Sequence, residues 1–118
     1  MNEFNNTNSL LDTVMLLLLQ NGIDRYAVLK GGFLLGKELG VRGTQDIDMS
    51  MGSEMAWGHV RQIFCIVGDT LVYNGHIATY EITDPNPQKR TSGRVRYFTG
   101  KGATSAGVDI WGKEYSFP

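Results

Sequence analysis

The alternation of apolar and polar positions along the chain changes between helical and extended spacing, and it predicts a series of short elements. Asn8 or Ser9 is placed to cap the first helix, and Asn21-Gly22 is placed to end it. The elements are predicted in this order: helix 8–20, strand 23–29, helix 33–39, strand 45–51, helix 53–67 and strands 77–83, 94–99 and 107–111.

This order of elements predicts a mixed β-sheet of about five strands with helices packed on it, which is an α/β (α+β) fold. The chain has 118 residues, a length that buries one hydrophobic core. Residues 1–118 are therefore predicted to form a single domain.

From Asp46 onward, the strand predicted at 45–51 alternates between polar and apolar residues. Ile47, Met49 and Met51 point to one face, while Asp46 and Asp48 point to the other, about 7 Å apart. Two carboxylates on one face repel each other unless a cation lies between them, and magnesium prefers oxygen ligands of this kind. The two aspartates by themselves are also compatible with a strand face that contacts only solvent.

A glycine pair, Gly31-Gly32, follows the strand predicted at 23–29 and precedes a predicted helix. Backbone without side chains at such a position can approach phosphate oxygens and direct amide N–H groups at them. A plain turn from strand to helix explains the pair equally well.

A third carboxylate, Asp109, lies in the last predicted strand between Val108 and Ile110. If these two apolar neighbours face the core, Asp109 points to the opposite side. Three aspartates on adjacent strands could then hold two Mg²⁺ ions about 4 Å apart, the arrangement used for in-line phosphoryl transfer.

These motifs resemble the DNA polymerase β-like nucleotidyltransferase superfamily. The resemblance lies in KGG at 30–32, RGTQDID at 42–48 and VDI at 108–110. More narrowly, LKGGxxL followed by Arg-x-Thr-x-Asp-Ile-Asp is similar to AbiEii-type toxins of abortive-infection and toxin–antitoxin systems. The resemblance implies a nucleotidyltransferase-like core.

The resemblance also implies roles for individual residues. Gly31 and Gly32 would hold the triphosphate of a nucleotide. Asp46, Asp48 and Asp109 would coordinate two Mg²⁺ ions, and Asp109 would help to deprotonate the acceptor hydroxyl. Three further residues match the motif: Lys30, Arg42 and Thr44. The resemblance leaves open whether they contact the nucleotide or neighbouring parts of the site.

The function implied is transfer of a nucleoside monophosphate from a nucleoside triphosphate to a hydroxyl of an RNA, a protein or a small molecule. AbiEii-type proteins continue into a helical region, whereas this chain reaches Pro118 nine residues after Asp109. The shorter chain predicts an exposed surface that an antitoxin or a second copy covers. The shorter chain is also compatible with an alternative function, in which the protein is a catalytically incomplete relative that binds a nucleotide or a partner.

The amino-acid composition excludes some classes of binding partner and leaves others open. The net charge of −1 gives no overall attraction to nucleic acid, but five of the eleven basic residues lie between Lys89 and Lys101. That run is compatible with an RNA acceptor or with solvated strand faces. The sequence shows neither a basic leader nor an apolar run of about 20 residues, so we expect a cytoplasmic protein without a membrane span.

Overall fold

A computed structural model describes residues 7–29, 45–52, 56–86, 88–100 and 105–112. Within these ranges the chain forms a five-stranded mixed sheet with two helices packed on it, so the predicted α+β class is confirmed. The elements are α1 (Thr7–Gln20), β1 (Ala27–Leu29), β2 (Gln45–Met51), α2 (Trp57–Tyr73), β3 (Thr79–Thr83), β4 (Gly93–Phe98) and β5 (Ser105–Trp111).

The strands follow the order β1-β2-β5-β4-β3 across the sheet. β2 and β5 are parallel, and the other three neighbouring pairs are antiparallel. β5, the last described strand along the chain, is thus the central strand of the sheet. The strands predicted at 45–51, 77–83, 94–99 and 107–111 are confirmed, with ends that differ by at most two residues.

One face of the sheet, here called the inner face, packs against both described helices. α1 contacts β2 and β5, while α2 contacts β3 and β4. Alternation along β2, β4 and β5 brings most of their apolar side chains to this face, as predicted for β2. The fully buried side chains include Ile47, Val95, Tyr97, Val108 and Ile110.

The segment after α1 departs from the predicted strand at 23–29. Gly22 has a positive φ of 84°, which turns the chain sharply, and Ile23–Arg25 form a single 3-10 turn. Only Ala27–Leu29 pair with β2. The prediction was wrong for the first half of this segment because Ile23 is buried in a turn and not in a strand.

Helix α2 extends to Tyr73 and does not stop before Gly68 as predicted. Gly68 is buried within the helix under the ring of Tyr80 on β3, and a Cβ atom at Gly68 would lie 2.5 Å from that ring. This glycine therefore allows helix and strand to approach closely instead of ending the helix. The predicted helix at 33–39 and the first three residues of the helix predicted at 53–67 lie outside the described residues.

A second contact fixes α2 on the sheet. The hydroxyl of Tyr97, on the inner face of β4, donates a 3.0 Å hydrogen bond to the Phe64 carbonyl oxygen of α2. Burial raises the pKa of Tyr97, and the charges of Tyr80 and Cys65 raise it further. The tyrosine therefore stays protonated and keeps this bond at neutral pH.

Neither of the two described helices is both long and apolar enough to cross a membrane.

Candidate functional site

The opposite face of the sheet, here called the outer face, brings the three predicted aspartates together. Asp46 and Asp48 of β2 are exposed and alternate with the buried Ile47 and Met49. The prediction that both carboxylates share one face is confirmed. Asp48 is the register partner of Asp109 on the parallel strand β5. Neighbouring strands lie about 4.8 Å apart, so these two residues are adjacent on the sheet.

Asp109 has the orientation that the sequence predicts. Its neighbours Val108 and Ile110 are fully buried on the inner face, and Asp109 projects from the outer face. Its side chain is only 13% exposed. A carboxylate with so little access to water needs a charged or hydrogen-bonding partner.

Arg94 of β4 is that partner. It is paired in register with Asp109, and its Nε lies 2.6 Å from Asp109 Oδ1. The distance is short for a hydrogen bond between two charged groups. The side chain of Arg94 is 45% exposed, so the ion pair joins a shielded carboxylate to a guanidinium that reaches solvent.

The other two carboxylates also affect the pKa of Arg94. Its hydrogen bond with Asp109 raises its pKa most, the charge of Asp109 adds to this, and the charges of Asp46 and Asp48 raise it further against the opposing effect of burial. The guanidinium therefore remains protonated at all physiological pH values. Arg94 therefore lies in the field of all three aspartates.

A second arginine of β4 contacts Asp46 across the width of β5. Arg96 Nη2 lies 3.4 Å from Asp46 Oδ2, and Arg96 Nη1 donates to Ser105 Oγ at 3.3 Å. The two charged groups meet above Gly107, where a Cβ atom would lie 2.7 Å from Asp46 Oδ1 and 3.2 Å from Arg96 Nη2. A glycine in the central strand therefore makes room for this ion pair.

The sequence-based prediction did not include these arginines among the site residues. It interpreted the whole basic run 89–101 as a contact with RNA or as solvated strand faces. Lys89 and Arg90 precede β4 and are exposed. Arg94 and Arg96 instead face the carboxylates. A signal was available in the alternation of these two arginines with Val95 and Tyr97, which places both guanidiniums on the face opposite the core.

Among the described residues, no group of three or more His, Cys, Asp or Glu side chains is arranged to hold a metal ion. Asp46 and Asp109 are each directed at an arginine. The donor chemistry nevertheless fits magnesium, since three carboxylates on neighbouring strands supply the oxygen ligands that this ion prefers. The residues present are suited to the ion in type, and they share one sheet face.

The other predicted site residues lie outside the described parts of the chain. These are Lys30, Gly31, Gly32, Arg42 and Thr44. Their roles at a nucleotide remain predictions from the sequence. The described part of the site therefore consists of three aspartates, two arginines and the glycine that lets one pair form.

The outer face presents carboxylates and guanidiniums side by side. Its carboxylates are suited to a divalent ion, and a guanidinium fork fits the oxygens of a phosphate as well as those of a carboxylate. No protein-family model matches the chain, and comparisons with curated proteins and with solved structures found no match either.

Proposed function

We propose that this protein is a magnesium-dependent nucleotidyltransferase. It transfers a nucleoside monophosphate from a nucleoside triphosphate to a hydroxyl of an RNA, a protein or a small molecule, and releases pyrophosphate. The observation that supports this most is the register of β2 and β5, which pairs Asp48 with Asp109 while Asp46 shares their face. Three carboxylates on two adjacent strands can supply oxygen ligands to the pair of metal ions that many enzymes use for in-line phosphoryl transfer.

In this proposal Asp46, Asp48 and Asp109 hold two Mg²⁺ ions. The chemistry that bound magnesium supplies is neutralisation of phosphate charge and a lower pKa for the attacking hydroxyl. Asp109 helps to deprotonate that hydroxyl, as the resemblance implies, and it lies beside Asp48 on the sheet. Gly31 and Gly32 hold the triphosphate through backbone N–H groups, with Lys30, Arg42 and Thr44 nearby, as the sequence motif predicts.

The acceptor and the biological role follow from the resemblance to AbiEii-type toxins. We propose that the protein acts as the toxin of a toxin–antitoxin pair and that RNA is the acceptor to test first. An antitoxin or a second copy of the chain is the partner class that the same resemblance implies.

The direct test is incubation of the purified protein with Mg²⁺, total RNA and each of the four labelled nucleoside triphosphates. Label should transfer to RNA or protein with at least one nucleotide. Asp46→Asn, Asp48→Asn and Asp109→Asn should each reduce transfer by at least about a hundredfold, because each removes a negative metal ligand. Asp84→Asn is the matched control, since Asp84 is exposed and its ion pair is with Arg61 of α2.

A second candidate function is supported by the two ion pairs. Because Arg94 and Arg96 already neutralise Asp109 and Asp46, the same face is compatible with a catalytically incomplete relative that binds a nucleotide or a partner chain. The two functions differ in one measurement. A protein that binds nucleoside triphosphate in a titration but transfers no label with any nucleotide or acceptor is the binding module.

A further inference from the structure

The connection between β3 and β4 is a hairpin with a basic tip. It spans residues 84–92, and Lys89 and Arg90 lie at the tip with exposed side chains. Asp84 is the only acidic residue of this connection, and its carboxylate forms a 3.3 Å ion pair with Arg61 of α2. The connection and Arg61 together therefore carry net positive charge, although the whole chain has a net charge of −1.

Hydrogen bonds hold the tip of this hairpin in a defined conformation. Asn86 and Thr91 exchange two backbone hydrogen bonds of 3.1–3.2 Å. The side-chain Oδ1 of Asn86 accepts two more from the backbone N–H groups of Gln88 and Lys89, at 3.1 and 3.3 Å. A loop that is ordered in advance loses less conformational entropy when it binds a ligand. The tip is therefore suited to present its cations to a partner.

Arg90 has an unusual backbone conformation for its residue type. Its φ is 57°, and it is the one non-glycine residue with a positive φ among the described residues. This left-handed conformation costs an arginine free energy that a glycine would not lose. Residues held in such conformations occur often at binding sites. The guanidinium at this position therefore indicates a role in binding, because the turn itself would form more easily with glycine.

β4 leads from the tip to the carboxylates of the outer face. Arg94 follows Thr91 by three residues, a distance of about 10 Å along an extended strand. Its side chain is 45% exposed and pairs with Asp109. Exposed cations thus lie both at the tip and at the edge of the carboxylate site. One small anion is too short to contact both positions, whereas a polynucleotide carries a phosphate at every step along its length.

We infer that the tip of the β3–β4 hairpin binds the backbone phosphates of an RNA acceptor, with Lys89 and Arg90 as the contacting side chains. This inference rests on the proposed function, in which RNA is the acceptor, and it names the surface that holds that acceptor. The bound strand runs from the tip along β4 and reaches the aspartates from the hairpin end of the sheet. Binding at the tip is independent of base sequence, because contacts to phosphates carry no sequence information.

The test measures RNA binding to the full chain by fluorescence anisotropy, without nucleotide or divalent metal. The probe is a labelled single-stranded RNA of about 12 nucleotides, titrated at several KCl concentrations. At about 0.1 M salt, Lys89→Gln and Arg90→Gln should each weaken binding about fivefold, and the double variant about 25-fold. Each substitution should also lower the slope of log affinity against log salt concentration by about 0.7, since one phosphate contact is lost.

Arg90→Gly separates a binding role from a structural one. Glycine relieves the backbone strain at this position, so the urea midpoint of unfolding should rise. RNA binding should nevertheless weaken about fivefold, because the cation is gone. A residue that served only the shape of the turn would give a more stable protein with unchanged RNA affinity, and that result would overturn the role of Arg90.

Arg25→Gln is the matched control for loss of an exposed positive charge. Arg25 lies in the 3-10 turn before β1, and β1 is the edge strand on the opposite side of the sheet from β3. This variant should bind RNA as the wild type does. Lys89→Arg keeps the charge at the tip and should also retain the wild-type affinity. Circular dichroism and urea unfolding show whether each variant is folded.

The outcomes distinguish this inference from the function on which it rests. Equal affinity and equal salt dependence in the wild type and the double variant overturn the hairpin as the RNA-binding surface, while label transfer tests the enzyme separately. RNA binding that is lost in the double variant, in a protein that transfers no label, supports the hairpin and overturns the nucleotidyltransferase. Binding of polyglutamate but not of RNA by the wild type assigns the tip to an acidic protein partner and overturns the inference.

Discussion

Asp46 on β2 reaches Arg96 on β4 across an intervening strand, and the contact exists because residue 107 has no side chain. Gly107→Ala should separate the pair, since its Cβ would lie 2.7 Å from Asp46 Oδ1. A double-mutant cycle with Asp46→Asn and Arg96→Gln should give a coupling free energy of about 0.5 kcal/mol in the wild type, a typical value for a partly exposed pair.

In the Gly107→Ala background that coupling free energy should fall to zero. Gly52→Ala is the control, because a Cβ atom at Gly52 meets nothing within 4 Å and the coupling should be retained. Equal coupling in both backgrounds would show that the glycine is not what brings the two charges together.

Two glycines in α2 should respond in opposite ways to substitution by alanine. Gly68→Ala places a Cβ atom 2.5 Å from the Tyr80 ring, so we expect a loss of about 1–3 kcal/mol in the free energy of unfolding. Gly58 has no atom within 4 Å of its Cβ position, so Gly58→Ala should gain about 0.5–1 kcal/mol from helix propensity. Urea unfolding of the two variants measures the difference, and shifts of the same sign would contradict the close approach of α2 to β3.

The buried hydroxyl of Tyr97 should contribute measurably to stability. Tyr97→Phe removes the hydrogen bond to the Phe64 carbonyl oxygen, and we expect a loss of about 1 kcal/mol in the free energy of unfolding. Tyr73 is 89% exposed, so Tyr73→Phe should change that free energy by less than about 0.5 kcal/mol. If the two variants are equally stable, the hydroxyl of Tyr97 does not hold α2 on the sheet.

Stability should fall at alkaline pH because burial raises the pKa of Tyr97 above its ordinary value of 10.0. Above pH 10 the unfolded chain releases this proton while the folded chain keeps it, so the free energy of unfolding decreases as pH rises. The decrease for this tyrosine is at most about 1.4 kcal/mol per pH unit, and it ends at the folded-state pKa.

Urea unfolding at pH 9, 10 and 11 tests this pH dependence. Tyr97→Phe lacks the titrating group, so its stability should decline less steeply than that of the wild type between pH 10 and 11. Below pH 9 the two slopes should agree. If the free energies of unfolding of the two proteins decline in parallel over the whole pH range, other groups cause the loss of stability at alkaline pH. Tyr80 is one such group, because burial and its hydrogen bond with Asp69 raise its pKa.

The features predicted well from the sequence are those that depend on local periodicity. The two-residue repeat of a strand fixes which side chains share a face, so Asp46 and Asp48 could be placed together from their spacing. The same rule gave the orientation of Asp109 from its buried neighbours. The bounds of β4 followed from alternation, because its buried residues alternate with accessible ones, whereas the first four residues of β5 are buried on both faces.

The features that the sequence did not predict depend on contacts between distant segments. Nothing in a local pattern sets the register that pairs Asp48 with Asp109, or brings Arg94 to the same row of the sheet. Gly68 was interpreted as a helix end because glycine is unfavourable within helices, yet the ring of Tyr80 outweighs that preference.

The central position of β5 also determines when the site can exist during synthesis. Asp48 and Asp109 are 61 residues apart along the chain, whereas β3 and β4 form a local hairpin. Until β5 has left the ribosome, β2 and β4 have no strand between them, and the aspartates of one cannot meet the arginines of the other. A nascent chain therefore lacks its complete set of three aspartates on the sheet until β5 inserts between β2 and β4. Because non-local strand pairing is slow, we expect this insertion to be a late step in folding.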